Sequence, residues 1–534
     1  MKFRQSDDTS NTNNLALILT GLILAAFLIV NFIFVESRAP AWQDEVFVQS
    51  TARSMVSTGQ QGLSVLAMYR DSIPPARFYG PVSFEAAAAL QRAFGLREWP
   101  WRAVCYLLGL ALIAVSSAII IRLAGASSLQ VMLGTCVTTV AGVYCTQPPG
   151  RWDPVTAGLA VSAIASVMFC MRGSGWQLLP RAVLAGLLFG LAAGSTPRAL
   201  PILASAGIAI VVGAIIGSDN RAGILGAGLV TGVAAFATDA IVLAPIGMTP
   251  WGWLAFVRRA SARDRFNSSP LLGGAWNLEL SSHKIVIVLS LLMLAVGVAS
   301  AFIHARSEGN SHEYSNVRIV ITVLALVNCA LSLTLLSRFL SYAVFWLPLL
   351  AIASFSQLPG GSWLVLKKLR PVICILLTLE LALPTALQMR RLYEGGRLWA
   401  TRDPKRMQSE MRKYIPAHSV VFGPVGGYFF PVEQNGSRYL YLKEETTPGL
   451  ASGMDSSAYR EQAVDYVACT RRTYLVWPCK EGGPRLPVHV ASDEKVLVNP
   501  RRIDSNNLPA IYRLKKPRNC DVLLNEGIWP KVRF

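Results

Sequence analysis

Over its first 388 residues the chain alternates apolar runs with short polar connections, and after that the pattern changes. A hydrocarbon core of about 30 Å needs roughly 20 apolar residues per helix, and about eleven runs approach that length. They are Leu15 to Val35, Ala103 to Ile121, Val131 to Thr146, Pro154 to Met171, Ala182 to Gly194, Leu200 to Ile216, Ala222 to Ile246, Ile285 to Ile303, Ile319 to Leu336, Phe339 to Phe355 and Pro371 to Leu387. Val131 to Thr146 and Ala182 to Gly194 are short, and only Ser337 and Arg338 separate the run ending at Leu336 from the next. The first run is too long, and its downstream flank too polar and bulky, for a cleaved signal peptide, so it reads as a retained helix. The pattern predicts a polytopic α-helical membrane protein.

Two polar stretches are too long to be connectors. In residues 36–102, STARSMVSTGQ and VSFEAAAALQRAFG have helical texture, the second with Ala86, Leu90, Ala93 and Phe94 on one face and Glu85, Gln91 and Arg92 on the other. They predict two amphipathic helices along the membrane surface, joined by SIPPARFYGP. Beyond Gln388, WATRDPKRMQSEMRKYIP reads as a helix, HSVVFGP and RYLYL as strands, DSSAYREQAVDYV as a helix and TYLVW as a strand. That alternation predicts a compact α/β domain over 389–534, beside a membrane module over 1–388.

Composition agrees: 52% of residues are hydrophobic and 15% charged. The formal charge of +19 is split among loops, with no basic stripe interleaved with aromatics, which argues against nucleic acid and for anionic membrane lipid. Basic residues mark the cytoplasmic side. With the N-terminus inside, Lys2, Arg4, Arg122, Arg172, Arg181, Arg221, Arg306, Arg318, Lys367, Lys368 and Arg370 all fall there. The expected location is therefore the cell's inner membrane, with Glu36 to Arg102, Gln147 to Asp153, Gly247 to Lys284 and the C-terminal domain on the outer, periplasmic side. Six cysteines lie in apolar runs, while Cys469, Cys479 and Cys520 lie in the C-terminal region, where an oxidising compartment allows one disulfide, expected between Cys469 and Cys479. No zinc-type spacing and no Walker, Rossmann or nucleophile-elbow motif occurs.

The candidate chemistry lies in the outer segments. Asp44 and Glu45 follow the first helix, where they serve either as helix-capping acids or as a catalytic pair; Tyr79, Arg77 and Arg102 share their loop. Arg151 and Asp153 repeat acid and base in QPPGRWDPV, where Asp153 also suits an N-cap ahead of Pro154. Arg198 and Arg338 sit at ends of apolar runs, Tyr342 lies one turn beyond Arg338, and Arg258 and Arg259 lie in a later outer loop. Carboxylates facing arginines at a membrane surface suit a reaction on a phosphate-bearing lipid.

The blocks DEVFVQSTARSMVSTGQ, PPARFYGP, FGLREWPWRAV, RWDP, GLAAGSTPRALPI and RFLSYAVFWLP, in this order, resemble the C-type membrane glycosyltransferases, especially the protein O-mannosyltransferase and lipid A aminoarabinose transferase branch. The likeness runs in layout over about residues 15 to 390 and implies a helix topology of the kind read above. It implies transfer of a sugar from a polyprenyl-phosphate donor to a lipid, glycan or protein acceptor on the outer face. Asp44 would be the general base, Asp153 the second acid, and Arg77 the phosphate partner, aided by Arg151, Arg198 or Arg338. Glu45 would orient Asp44 or bind acceptor, and a divalent cation between Asp44 and Asp153 stays open. The family's Lys-Pro-Pro block is here Pro74, Pro75, Ala76 and Arg77, with the basic residue after the prolines. Two rival readings remain: a polysaccharide or lipid ligase of another fold, for which the outer loops offer only His283, and a lipid transporter or scaffold, whose pathway would need more charge in the membrane than Asp239 provides.

Overall fold

The structure, a computed structural model, describes residues 8–38, 41, 43–59, 61–62, 79–146, 150–172, 178–217, 221–255, 312–335, 340–357, 404–423, 428–441 and 472–478, the strands at 495–496 and 509–513, and scattered single positions. Among the described residues, five helices are long and apolar enough to cross a membrane: Glu98–Leu123, Asp153–Met171, Leu178–Ser195, Pro197–Ile215 and Arg221–Ile246. Four shorter apolar helices accompany them, at Ile18–Phe34, Ser128–Val143, Val317–Ser332 and Ala343–Gln357. The predicted runs Ile285 to Ile303 and Pro371 to Leu387 lie largely outside the described residues.

The chain divides into two compact units. One comprises Met1–Ile33, Gly80–Val82 and Ala103–Leu392; the other comprises Phe34–Tyr79, Ser83–Arg102 and Tyr393–Phe534. Most of the first polar loop is thus grouped with the C-terminal residues.

In the first unit, α1 (Asp8–Phe34), α5 (Gly109–Leu123), α6 (Ser128–Cys145), α7 (Asp153–Arg172), α8 (Leu178–Ser195), α9 (Leu200–Gly217) and α10 (Arg221–Leu243) are followed by α11 (His312–Leu335) and α12 (Leu347–Gln357). Ser127 starts α6 with a capping box, its hydroxyl and the Gln130 side chain serving each other's backbone N–H. Helix α7 packs between α5 and α8, α11 packs on α9, and α12 rests on α6 and α11. Helices α8 and α10 meet through a small-residue seam: a Cβ at Gly186, Gly190 or Gly194 would overlap Ala234, Thr238 or Val242 respectively. With no hydrophobic drive between helices in lipid, close backbone approach and bonds such as Thr231 Oγ1 to the Ala182 carbonyl at 3.1 Å hold such a pair. The two runs separated by Ser337 and Arg338 do form two helices, the second only 11 residues long and wholly buried. At 1.5 Å per residue it is about 16 Å long, short of a full crossing.

In the second unit, α2 (Gln43–Thr58), α3 (Pro81–Phe94) and α4 (Glu98–Ala103) join the C-terminal part. Both expected helices form, with a different facing from the one expected of α3. From Glu45 to Ala52 every residue of α2 is buried, and α3 turns Phe84, Ala87, Ala88 and Gln91 inward while Phe94 is 47% exposed. Gln91 is inside because its Nε2 donates to the Gln49 carbonyl at 2.9 Å and to Gln49 Oε1 at 2.8 Å. The C-terminal part forms a five-stranded sheet of order β2-β1-β3-β5-β4, from strands β1 (Val420–Gly423), β2 (Arg438–Tyr441), β3 (Thr473–Pro478), β4 (Lys495–Val496) and β5 (Pro509–Arg513). Strand β1 is parallel to β2 and β3, whereas β5 runs antiparallel to β3 and β4. Helix α13 (Pro404–Tyr414) precedes β1, and α14 (Phe429–Gln434) buries Phe429, Phe430 and Val432. Gln434 Nε2 donates to the Leu96 carbonyl at 3.0 Å and to Glu98 Oε2 at 3.3 Å, which ties the first loop to α14. Cys469 is disulfide-bonded. Cys479 and the DSSAYREQAVDYV segment lie outside the described residues.

Candidate active site

The acidic pair occupies the first turn of α2, where exposed N–H groups and the helix dipole favour carboxylates. Consecutive residues on a helix point about 100° apart, so the two acids part company. Glu45 is fully buried and meets Arg102 in a fork: Nε to Oε1 at 2.7 Å and Nη2 to Oε2 at 2.8 Å. The third nitrogen of Arg102, Nη1, donates to the Glu36 carbonyl at 3.1 Å. A bidentate guanidinium–carboxylate pair with its remaining donor satisfied is the geometry in which a buried ion pair holds. Glu45, expected to orient Asp44 or bind acceptor, and Arg102, a further candidate in the same loop, are thus paired with each other. Asp44 is half-buried and accepts a long bond, 3.4 Å, from the hydroxyl of buried Tyr79.

Asp153 begins α7 and is 1% exposed. Arg151 Nε reaches its Oδ2 at 2.8 Å, and Arg198 Nη1 reaches Oδ1 at 3.0 Å and Oδ2 at 3.3 Å. Arg198 belongs to a 3-10 turn, Pro197–Ala199, opened by Thr196, whose hydroxyl accepts from the Arg198 backbone N–H. That turn follows the end of α8, where the Gly80 N–H donates to the Ser195 carbonyl at 2.7 Å. A Cβ at Gly80 would overlap the Gly194 carbonyl, so only glycine fits there. RWDP and GSTPRALP, remote in sequence, thus meet in one cluster of two guanidiniums on one carboxylate.

Both oxygens of Asp153 accept from arginine, which places cations where a metal ion would bind. Asp153 does not fit the metal role held open for it with Asp44. Among the described residues no group of three His, Cys, Asp or Glu side chains is placed to hold a metal ion. Arg77, Arg258, Arg259 and Arg338 lie outside the described residues, and of Tyr342 only the backbone, in the turn Leu340–Phe345, is described. The sequence reading missed that Glu45 and Arg102 are partners; an acid and an arginine both on helices that enter a buried loop were the available signal.

No family model and no curated protein matches the chain. Solved structures do. Its fold is shared with solved structures of ArnT and of an archaeal oligosaccharyltransferase. It is similar to ArnT from Cupriavidus metallidurans, bound to undecaprenyl phosphate, with a TM-score of 0.54 at 13% identity, covering 93% of this chain and 97% of that one. It is likewise similar to the oligosaccharyltransferase AglB from Archaeoglobus fulgidus, in complex with an inhibitory peptide and a dolichol-phosphate, with a TM-score of 0.54 at 10% identity over 89% of this chain and 70% of that one. A third structure, the Archaeoglobus fulgidus oligosaccharyltransferase complex with Zn and sulfate, gives a TM-score of 0.52 at 13% identity over 85% and 68%. At such identities the likeness is one of fold. With the apolar helices, it makes the chain a membrane protein.

Proposed function

We propose that this chain is a membrane glycosyltransferase that moves a sugar from a polyprenyl-phosphate donor to an acceptor on the outer face of the membrane. The observation that carries the reading is the division of labour between adjacent acids: Glu45 is sealed against Arg102, while Asp44 stays half-buried beside a tyrosine hydroxyl. Asp44 takes the acceptor's proton as the acceptor oxygen attacks the anomeric carbon and the lipid phosphate leaves. A positioned carboxylate contributes roughly 10²- to 10⁴-fold in such a step. Arg198 and Arg151 bind the phosphate and stabilise the charge it gains on leaving, and Asp153 holds their side chains in place. Arg77, Arg338, Arg258 and Arg259 are further phosphate candidates, and Tyr79 orients Asp44. One structure of similar fold contains Zn, but Asp153 is occupied by arginines, and no step here is routed through a metal.

The proposed topology puts the N-terminus in the cytoplasm and the C-terminal sheet outside. Two observations support it: the basic inner loops and the bonded Cys469, since disulfides persist in oxidising compartments. Acceptors of all three classes, lipid, glycan and protein, fit an outer-face site.

The test compares Asp44→Asn with Glu45→Gln at equal expression, reading products from cells that depend on the protein and transfer from an undecaprenyl-phosphate-linked sugar in micelles. Asp44→Asn is expected to abolish transfer while the protein melts normally. Unchanged products with Asp44→Asn would remove the base assignment.

A further inference from the structure

Asn328 lies about two turns from the end of α11 and has no exposed surface. Its Nδ2 donates to the Phe345 carbonyl at 2.7 Å, and its Oδ1 accepts from Ser332 Oγ at 3.3 Å. An amide inside a membrane helix is costly unless bonded, and a leucine would fill the same space. What the amide gains is a grip on one backbone carbonyl. Phe345 ends the 3-10 turn Leu340–Phe345, and the chain around it, Ala343 to Trp346, is buried in the core of this unit. That turn packs against α6, α7 and the Pro197–Ala199 turn that carries Arg198. Two 3-10 turns therefore lean on each other: one presents Arg198 to Asp153, the other is latched by Asn328.

We propose that Asn328 is a positioning residue for lipid-phosphate binding, fixing the Leu340–Phe345 turn and through it the direction of Arg198. It touches no substrate. This inference rests on the reading of Arg151, Asp153 and Arg198 as the phosphate site.

The test measures binding of undecaprenyl phosphate to the full-length protein in detergent micelles, together with the melting temperature. Asn328→Leu is expected to weaken binding about tenfold, the effect of losing one buried hydrogen bond. Asn328→Asp, a carboxylic acid kept neutral at this depth, still offers an O–H to Phe345 and is expected to stay within about threefold of the wild type. Gly190→Ala, in the α8–α10 seam, lowers the melting temperature without touching either turn and is expected to bind normally. Should Asn328→Leu not fold, Asn328→Ser, whose hydroxyl is too short to reach Phe345, carries the same expectation. Asn328→Leu that melts lower but binds like the wild type would overturn the inference alone, as would an Asn328→Asp that binds as poorly as Asn328→Leu. A wild type that does not bind undecaprenyl phosphate would overturn the phosphate site itself, and the inference with it.

Discussion

Two buried clusters of arginine and carboxylate differ in one number. At the start of α2, Glu45 meets one arginine, and the pair is neutral. At the start of α7, Asp153 meets two. The neutral pair is 1% exposed or less on both sides. It has the form of a clasp, fixing the first turn of α2 to α4. The second cluster sets two guanidiniums side by side on one carboxylate, the arrangement the proposed phosphate site would use, with Asp153 holding both side chains. The number of guanidiniums on the carboxylate, rather than burial or distance, is what differs between the two.

The largest expected effect comes from breaking the clasp. Arg102→Met strands Glu45 inside the protein, and removing one partner of a buried pair costs about 3–5 kcal/mol. Thermal unfolding of the purified protein should show that loss, and Glu45→Met together with Arg102→Met should restore most of it. A single Arg102→Met that melts like the wild type would show that the pair is not a clasp. Next comes the second cluster. Arg198→Gln leaves Arg151 on Asp153 and so preserves folding, but it removes one of the two guanidiniums of the proposed phosphate site. The KM for a polyprenyl-phosphate donor should rise at least about thirtyfold, the lower bound for losing a charge-assisted contact to phosphate. If Arg198→Gln instead melts early with an unchanged KM, the two clusters are of one kind.

Much of this was legible in the chain. Nine of the apolar runs coincide with helices among the described residues, five of them long enough to cross a membrane, because lipid forces every backbone group into a helix. Strands β1, β2 and β3 announced themselves as β-branched and aromatic runs, whereas α14, in FFPVEQ, did not, being six residues long and shaped by packing of Phe429 and Phe430. Asp153 and Arg151 stood out because they share one short loop. The Glu45–Arg102 pairing did not, since 57 residues separate the partners and no periodicity links them. The inward turn of Gln91 was hidden for a similar reason: its partner is Gln49, on a separate helix that sequence read as lying along the membrane surface.

A third buried acid sharpens the contrast by lacking a fork. Glu433 on α14 accepts the Tyr439 N–H at 2.7 Å, and its nearest guanidinium contact, from half-exposed Arg53, is 4.0 Å away. Burial pushes its carboxyl above the usual range, more than the Tyr439 N–H and the charges of Arg438 and Arg53 pull it back. A carboxyl raised on folding holds its proton in the native state, so the stability it gives is full below about pH 4, where the unfolded group is also protonated, and is lost as pH climbs through the higher native value. Glu433→Gln keeps the acceptor for Tyr439 and carries no charge to bury. Its melting temperature should match the wild type in acid and equal or slightly exceed it near neutrality, a difference of about 1 kcal/mol or less. Glu45→Gln should do the reverse, because there the lost charge leaves an arginine stranded. Equal losses from both substitutions near neutral pH would mean that Arg53 and Arg438 complete a pair at Glu433 much as Arg102 does at Glu45, and that distance to the guanidinium is no guide to which buried acids the fold depends on.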